Sequence, residues 1–260
     1  MAEALARIDA ALAQYARMGI TLVQDGGAGP SEIALLSEAA RRGRLSLDVV
    51  AYRLVLPVGS PIPEDLAPGP YAGRFRVGGV KVILDGAPQG KTAFLSRPYH
   101  VPPPGAAADY RGYPATAAED LRRTMVQVMS RGIPLLAHAN GDAAEDMLLD
   151  AVRAARQETG AHSPVVMIHA QTIREDQIAQ LAGLGVTPSF FVGHTFFWGD
   201  WHREQTLGFP RSENISPLRW SLDHAVPFTL HNDSPIVPPD IVRTLWSAAT
   251  RRTRTGDILG

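Results

Sequence analysis

Short apolar segments alternate with amphipathic segments along the whole chain, and this alternation limits the fold more than any other feature. Apolar runs bounded by turn residues are typical of strands that are buried on both faces. The runs are ITLVQDGG, LSLDVVAYRL (45–54), VGGVKVILDG (77–86), IPLLAHANGD, PVVMIHAQ, GVTPSFFVGH and VPFTLHNDSP. Strands in strict alternation with helices predict a parallel sheet with right-handed crossovers.

The segments between these runs have apolar residues at helical spacing. In the first segment, the apolar residues lie on one side of a helix, at Leu5, Ile8, Leu12 and Tyr15. Gly19 ends the pattern. We predict further helices from Ser31 to Arg42, over 117–131 and 142–159, from Arg174 to Leu184 and near Pro217–Asp223. Seven strands in 260 residues favour an α/β fold of the (β/α)8 TIM-barrel type over a doubly wound open sheet, in a single domain over 1–260.

Composition and charge exclude several classes of protein. The 25 Lys and Arg residues against 26 Asp and Glu residues give a net charge of −1, which provides no basic surface for nucleic acid and no polybasic patch for a membrane. No GxGxxG or GxxxxGKS/T motif follows a predicted strand, which argues against nucleotide binding. We recognise no targeting segment and no apolar run near the ~20 residues of a membrane span, so we expect a cytoplasmic protein.

Two long segments interrupt the alternation, at about 86–116 and 193–214. The first is rich in Pro and Gly, and the second is rich in aromatic residues. Both follow predicted strands, so both are expected at the C-terminal face of a barrel, where active sites are built. We predict two loops that act as lids or binding loops, because aromatic residues are costly to leave in a disordered segment.

Polar side chains stand at the ends of the predicted strands, where side chains from different strands of a barrel converge on one pocket. They are Asp25, Lys81, Asp85, His138, His169, His194, His231 and Asp233. Polar residues in apolar strands are costly unless they face partners in a site. Because the chain has no cysteine, disulfides and thiolate nucleophiles are excluded, and a metal would be held by histidine, carboxylate or a less usual ligand. A lysine, histidines and an aspartate that converge predict a metal site.

Each of these residues also has a structural interpretation. His138 alone fits a hydrogen-bonded core or turn histidine, but His169 occupies the matching position of the next strand, which favours a shared role as ligands. Asp233 in HNDSP is placed to cap a turn, because Asn-Asp-Ser-Pro is a strong turn former. Asp25 before two glycines fits a turn as well as a site. We interpret His231 as a structural residue or a neighbour of the ligands.

Lys81 lies inside the apolar strand VKVIL, where a free ammonium group is strongly disfavoured. One interpretation is a buried lysine paired with Asp85 or another carboxylate. Another is a lysine whose lowered pKa lets it react with carbon dioxide, which gives a carbamate that can bridge two metal ions. A third interpretation, a metal-free lyase or aldolase with Lys81 as the Schiff-base nucleophile, is disfavoured by the neighbouring His138 and His169.

Four segments together resemble the amidohydrolase superfamily, and within it the amidohydrolase 3 branch that includes N-substituted formamide deformylases. They are VKVILDGAPQGKTAFLSRPY, LLAHANGDAAEDMLLDAV, VVMIHAQTIREDQIAQLAGLGVTPSFF and TLHNDSPIVPPDIVRTLWSAATRRT. The similarity extends from ITLVQDGG to the end of the chain. It implies a barrel of the metal-dependent hydrolase type that cleaves a carbonyl C–N bond, in an amide, a formamide or a cyclic imide, with a metal-activated water.

The resemblance implies a metal-binding role for four residues. Lys81 would be the carboxylated ligand that bridges two ions. His138 and His169 would bind the second metal. Asp233 would bind the first metal and accept the proton of the attacking water. The expected cofactor is a divalent metal, with zinc preferred, as one or two ions.

Further residues are expected to contact a small-molecule substrate. By the resemblance, His194 would be catalytic, in contact with the substrate or the developing oxyanion. We also assign Asp85, Phe191 and Trp198 to substrate binding. The aromatic residues of this region favour an apolar or aromatic substituent on the substrate.

One difference from the family concerns the first metal. The superfamily's first strand ends in a His-x-His pair that binds this metal, and no such pair occurs in this chain. We therefore expect strands two to eight of the barrel, without the first strand and the C-terminal part. The alternative function is an inactive metal-binding barrel fragment that forms a homo-oligomer or needs a missing segment, because open strand edges invite pairing with another chain.

Overall fold

A computed structural model describes residues 1–64, 66 and 68–260 and shows seven strands in one sheet. The strands are β1 (Leu22–Ala28), β2 (Asp48–Leu54), β3 (Phe75–Ile83), β4 (Leu135–Ala139), β5 (Val165–His169), β6 (Val186–Phe190) and β7 (Thr229–Leu230). They lie in chain order, and each pairs in parallel with the next. The prediction of a parallel sheet built from alternating strands and helices is confirmed.

The α-helices follow the segments with apolar residues at helical spacing. They are α1 (Ala2–Arg17), α2 (Pro30–Arg41), α3 (Ala118–Ser130), α4 (Asp142–Thr159), α5 (Glu175–Leu184), α6 (Gly193–Trp201), α7 (Leu218–Asp223) and α8 (Ile241–Thr250). Five of the predicted segments coincide closely with α2, α3, α4, α5 and α7, because this spacing is a local property of the chain. Within the described ranges, no helix combines the length and the apolar character that a membrane crossing requires.

The sheet curls into a half-barrel and does not close. Each pair of neighbouring strands is twisted, so seven strands in chain order curl around an interior. In the part of the chain that the structure describes, β1 pairs only with β2 and β7 pairs only with β6, which leaves one side open. This arrangement is consistent with the expectation of an incomplete barrel.

Two hydrophobic clusters hold the helices on the sheet. The larger cluster includes Val82, Leu135 and Met167 from the central strands, all fully buried against α3, α4 and α5. The smaller cluster packs α1 and α2 on the first two strands, through residues such as Leu12 and Val49. Burial of a Val, Leu or Met side chain stabilises the fold by roughly 1.5–3 kcal/mol. The two clusters therefore stabilise the strands whose ends carry the polar residues.

The segment 86–116 is irregular apart from a short 3-10 turn at Pro88–Gly90. It is nevertheless well packed, since the buried Tyr99 donates its hydroxyl to the carbonyl oxygen of Ala93 at 2.9 Å. The backbone N–H of His100 donates to Thr206 O at 2.9 Å, which ties this segment to the one that follows β6. The two long segments therefore support each other over the C-terminal face of the sheet.

The segment 193–214 differs from the loop that its sequence predicts. It begins with α6, continues as a π-helical turn over His202–Thr206 and ends with a 3-10 turn over Arg211–Asn214. The sequence of α6 has no polar face at helical spacing and contains two glycines, so local patterns do not indicate a helix. Tertiary packing stabilises it instead: the ring of Phe196 contacts Trp246 of α8 edge to face, with 5.7 Å between the ring centres.

Candidate metal centre

The ends of β4, β5 and β7 bring three histidines to one place. His138 and His169 lie on neighbouring strands, and the register pairs His169 with Ala139, the residue after His138. His231 follows β7 directly, and its backbone N–H donates to Phe190 O at the end of β6 at 3.0 Å. Because all these strands run in the same direction, their carboxyl ends lie at the same face of the sheet.

The three imidazole rings form a row of short nitrogen–nitrogen contacts. His138 Nδ1 lies 3.1 Å from His169 Nε2, and His169 Nδ1 lies 3.2 Å from His231 Nε2. One end of the row is Ser189 Oγ, 2.9 Å from His231 Nδ1. The other end is Gly86 O, 2.9 Å from His138 Nε2. A neutral imidazole has one donor and one acceptor nitrogen, so two consistent proton arrangements exist along the row.

These two arrangements differ in the direction of donation. If His138 donates to Gly86 O, each following ring donates toward His138, and the hydroxyl of Ser189 donates to His231. If Asn140 Nδ2, which lies 3.0 Å from His138 Nε2, donates to that nitrogen, every ring donates in the opposite direction and His231 donates to Ser189. In both arrangements all three rings are neutral.

Burial keeps the rings neutral at physiological pH. It lowers the pKa of His138 to about 4 and the pKa of His231 to about 3, and the positive charge of Lys81 adds to both effects. Burial also holds the pKa of His169 well below its usual 6.5. Neutral imidazole is the form that binds a metal, so these side chains can act as ligands without first losing a proton.

Lys81 and Asp233 face a shared cavity of about 610 Å³, which His231 also lines. Lys81 is 8% exposed, and burial lowers its pKa to about 8, opposed by the negative charge of Asp233. Burial raises the pKa of Asp233, and Lys81 partly offsets this increase. The carboxylate that acts on Lys81 is therefore that of Asp233, rather than that of Asp85.

His231 belongs to a candidate ligand set that the sequence interpretation leaves out. One ligand atom from each of His169, His231 and Asp233 lies within 4.8 Å of the other two. His231 and Asp233 are two residues apart directly after the end of β7, and both line the main cavity. The position of His231, two residues before Asp233, is the sequence feature that could have indicated His231 as a candidate metal ligand.

The donor set fits a zinc-like divalent metal. Two nitrogens bound to zinc at about 2.0–2.1 Å with tetrahedral angles lie about 3.3–3.4 Å from each other. The nitrogen contacts of 3.1 Å between His138 and His169 and of 3.2 Å between His169 and His231 are close to that separation. A carboxylate and a buried lysine complete the set. Because each nitrogen of His169 faces a different histidine, the row offers two alternative positions for an ion.

The backbone is strained where these residues lie. The φ angles of His169, Ala170 and Asp233 are 81°, 46° and 53°, in the left-handed region that residues other than glycine rarely adopt. Such conformations cluster at functional sites, where the surrounding structure compensates for their cost. Two of the candidate ligands, His169 and Asp233, therefore lie in strained backbone.

Asp85 lies behind the row of histidines. Its carboxylate accepts the backbone N–H groups of Phe94, Asn140 and Gly141 at 2.9, 3.0 and 2.8 Å. One carboxylate oxygen lies 3.7 Å from His138 Nε2. Burial raises the pKa of Asp85 to about 7. The structure thus places Asp85 where it anchors the segment 86–116 to the end of β4, beside His138 and outside the lining of the main cavity.

His194, Phe191 and Trp198 form an aromatic layer beside the row. The ring centre of Phe191 lies 4.8 Å from His194 and 5.6 Å from His231, so Phe191 contacts both. His194 is buried, and its Nδ1 lies 3.0 Å from His202 Nε2. The ring centre of Trp198 lies 4.8 Å from that of His194. The structure brings these three residues together, next to the histidine row and not on the lining of the main cavity.

Residues of both edge strands, β1 and β7, line the main cavity. Leu22 and Gly26 of β1 line one side of it, and Asp233 lines the other. Asp25, also in β1, accepts the backbone N–H of Gly27 at 3.1 Å, which is the contact of a turn residue. The main cavity, which His231 and Asp233 also line, therefore lies between the two edges of the half-barrel.

The sequence matches a family model and two curated proteins. The amidohydrolase family model, of the amidohydrolase 3 branch, matches residues 1–260. YtcJ of Bacillus subtilis (strain 168), an amidohydrolase by name, is 27% identical over 188 residues, which are 71% of this chain and 33% of that protein. N-substituted formamide deformylase of Arthrobacter pascens is 29% identical over 136 residues, which are 50% of this chain and 24% of that enzyme. The chain thus spans a third or less of these curated relatives.

A solved structure has the same fold. The crystal structure of an uncharacterized metal-dependent hydrolase from Pyrococcus horikoshii OT3 matches with a TM-score of 0.78 and 25% identity, over 95% of this chain and 48% of that chain. The match supports a barrel of the metal-dependent hydrolase type for the curled sheet, and the sequence resemblance is confirmed. From its sequence and its fold, the chain belongs to the amidohydrolase family, in the amidohydrolase 3 branch.

Proposed function

We propose that this chain forms the metal-binding barrel of a hydrolase that cleaves a carbonyl C–N bond in a small molecule. The observation that carries the proposal is the row of neutral histidines, whose last member, His231, lines one cavity together with Asp233 and Lys81. Membership of the amidohydrolase family supports hydrolysis of a C–N bond. The similarity to N-substituted formamide deformylase favours formamides and related amides or cyclic imides as substrates.

Zinc is the metal that suits these ligands best. Imidazole nitrogens and a carboxylate oxygen in a compact set are typical zinc ligands. His138 Nδ1 and His169 Nε2, which face each other, would hold one ion. Asp233, with His231 next to it, would hold the other position.

Lys81 would extend this ligand set after reaction with carbon dioxide. The neutral Nζ attacks the carbon of CO₂, a new N–C bond forms, and one proton leaves the nitrogen. This converts a buried cation into a carboxylate at the end of a long side chain. With a pKa of about 8, about a tenth of the amine is neutral at pH 7. Asp233 shares the cavity with this group.

The metal, when bound, would lower the pKa of a water molecule and polarise the carbonyl group of the substrate. Asp233 would accept a proton from the attacking water and donate it to the nitrogen as the C–N bond breaks. The oxygen of water adds to the carbonyl carbon, so the products are a carboxylic acid and an amine. Because burial raises the pKa of Asp233, this carboxylate is a stronger base than an exposed aspartate.

A second function, metal binding without turnover by this chain alone, is favoured by the open side of the cavity. No strand of the described part of the chain fills the gap between β1 and β7. Exclusion of water strengthens the electrostatic interactions of an active site, and an open wall weakens that effect. Completion of the wall by another polypeptide segment would then be required for catalysis.

Metal analysis and an activity screen of the same preparation test both functions. The chain would be loaded with Zn²⁺, dialysed and analysed for metal, and then assayed with N-substituted formamides for release of amine. We expect at least one ion per chain and loss of that ion in the variant His169→Asn, whereas His162→Asn, which changes an exposed histidine, retains it. Bound metal with turnover supports the first function, and bound metal without turnover supports the second. Absence of bound metal, or borohydride trapping of a carbonyl compound at Lys81, would overturn both.

A further inference from the structure

A second, smaller cavity lies beside the candidate metal centre, between α6 and α8. Its volume is about 190 Å³. Asn232 and Thr244 line both this cavity and the main one, and Asn232 directly precedes Asp233. The apolar part of its wall consists of Phe191, Phe196, Phe197, Val237 and Pro238. A group bound here would therefore be adjacent to the carboxylate that we propose for proton transfer.

The size and walls of this cavity suit one aromatic ring. An apolar protein cavity of about 150 Å³ is large enough to bind benzene. Phe196 and Phe197 meet edge to face, with 5.1 Å between the ring centres and an angle of 82° between the ring planes. Aromatic rings prefer such edge-to-face and offset contacts, so a third ring can extend this packing.

Arg243 adds a positive charge to the cavity. Its guanidinium group lies 4.5 Å from the ring centre of Phe196 and 5.3 Å from that of Trp246. Stacked contacts of this kind use the flat face of the guanidinium and leave its N–H edge available to an anion. Over the described ranges of the chain, no carboxylate forms an ion pair with Arg243. Asp240, which also lines the cavity, instead caps α8 by accepting the backbone N–H of Arg243 at 2.8 Å.

A second guanidinium group increases the positive potential at this place. Arg254 lies 5.3 Å from the ring centre of Phe197 and 5.7 Å from that of Phe196. Arg243 and Arg254 both lie over Phe196, so the apolar wall of the cavity has positive charge at its border. A ligand that complements both features has a flat apolar part and one negatively charged group.

We infer that this cavity, the aromatic–arginine subsite (Phe191, Phe196, Phe197 and Arg243), binds a substrate substituent that consists of an aromatic ring with a carboxylate group. The inference rests on the proposed function, because it places the C–N bond of the substrate beside Asp233. The ring fills the space between the phenylalanines, and the carboxylate pairs with the N–H edge of Arg243. The substrate class is thus an N-acylated or N-formylated amine with an acidic aryl or arylalkyl substituent.

Binding of small probes to the metal-free chain tests the subsite without any need for turnover. The probes are 3-phenylpropionate, which has the ring and the charge, 3-phenylpropionamide, which has only the ring, and butyrate, which has only the charge. Dissociation constants would be measured by saturation-transfer NMR in the presence of a chelator. We expect 3-phenylpropionate to bind about tenfold more tightly than either of the other probes. Equal affinities for the acid and the amide would overturn the proposal.

Substitutions in the chain test whether the preference for 3-phenylpropionate arises from the aromatic–arginine subsite. Arg243→Gln is expected to weaken 3-phenylpropionate about tenfold and to leave the amide unchanged, whereas Phe197→Leu weakens both ring-bearing probes. Arg219→Gln, at an exposed position of α7, is the matched control and should change neither affinity. Lys81→Met should also leave the affinity for 3-phenylpropionate unchanged, and a loss in this variant would place the acid in the main cavity and overturn the proposal.

Two further measurements distinguish a loss of binding at the subsite from a loss of folding. Circular dichroism establishes that each variant is folded, and Arg243→Lys provides a second test, because it keeps the charge without the planar edge and should give an intermediate affinity. Failure of metal binding would overturn the proposed function and leave these affinities intact. Absence of the acid preference would overturn the subsite and leave metal binding intact.

Discussion

Nδ1 of His138 and Nε2 of His169 face each other at 3.1 Å, with an angle of 78° between the ring planes. Without a metal, one proton occupies the space between these nitrogens; with a metal, an ion would take that place. The proton of His138 must then lie on Nε2, toward Gly86 O, and the proton of His169 on Nδ1, toward His231. Each outer hydrogen bond fixes the ring that bears it, as is typical of metal ligands in proteins.

Replacement of His231 is expected to weaken metal binding less than replacement of His169. His169 faces both possible ion positions, so His169→Gln should abolish zinc binding. His231→Gln should lower zinc affinity by about 10- to 100-fold, because the ring either orients His169 or contributes one of several ligands. Competition with a zinc-sensitive dye measures the affinities. His162→Gln is the control, and equal losses in the two site variants would contradict this order.

Ser189→Ala is expected to lower zinc affinity by about tenfold without unfolding the chain. The buried hydroxyl of Ser189 lies 2.9 Å from His231 Nδ1 and fixes that ring at the end of the row. Ser221→Ala is a matched control, because Ser221 is a buried serine whose hydroxyl has no hydrogen-bond partner in the described part of the chain. If both variants bind zinc like the unchanged chain, Ser189 has no role in orienting His231.

Lys81→Met is expected to stabilise the metal-free chain at neutral pH. Burial lowers the pKa of Lys81 from 10.5 to about 8, so between these values the unfolded chain binds more protons than the folded chain. The free energy of unfolding of the unchanged chain therefore rises with pH across this window. Below about pH 8 the amine costs stability on the order of 3 kcal/mol, and above about pH 10.5 it costs almost nothing.

Chemical denaturation at pH 7 and at pH 10, with a chelator present, measures this cost. The stabilisation by Lys81→Met should be larger at the lower pH. Lys91→Met, at the other lysine of the chain, is the control for the substitution itself. An equal effect of the two variants at both pH values would show that Lys81 is not destabilised by its burial.

Glu145→Gln is expected to stabilise the chain more at pH 8 than at pH 5. Glu145 is fully buried, and in the described part of the chain neither carboxylate oxygen has a hydrogen-bond partner. Burial, and then the negative charges of Asp142 and Asp85, raise its pKa well above 4.5. The folded chain keeps a proton that the unfolded chain releases above pH 4.5, so this residue's contribution to stability declines as pH rises.

Thermal unfolding of the Glu145 variant measures the effect. In a chain of this size, 1 kcal/mol corresponds to a shift in Tm of about 2–4 °C, and we expect an increase of a few degrees at pH 8. Glu204→Gln, at an exposed position, is the control. A decrease in Tm at pH 8 would show that the carboxylate forms a stabilising interaction in the folded chain.

Much of the fold follows from local patterns. The apolar runs around Val165–His169 and the spacing over Asp142–Thr159 predict a strand and a helix that the structure contains at those positions. We also expected polar residues at successive strand ends to converge, and His138 and His169 lie in direct contact. These features depend on residues that are close in the chain, and on the rule that parallel strands end at the same face.

By itself, then, the sequence determined the alternating parallel fold, the family, and the Lys81, His138, His169 and Asp233 set that we propose as ligands. Only the tertiary structure decided that α6 is a helix. Its own residue pattern does not favour a helix, and contacts with α8 stabilise it instead. Only the structure showed that His231 lies against His169, which is 62 residues earlier in the chain. Contacts of this kind depend on the register between distant strands, which no local spacing specifies.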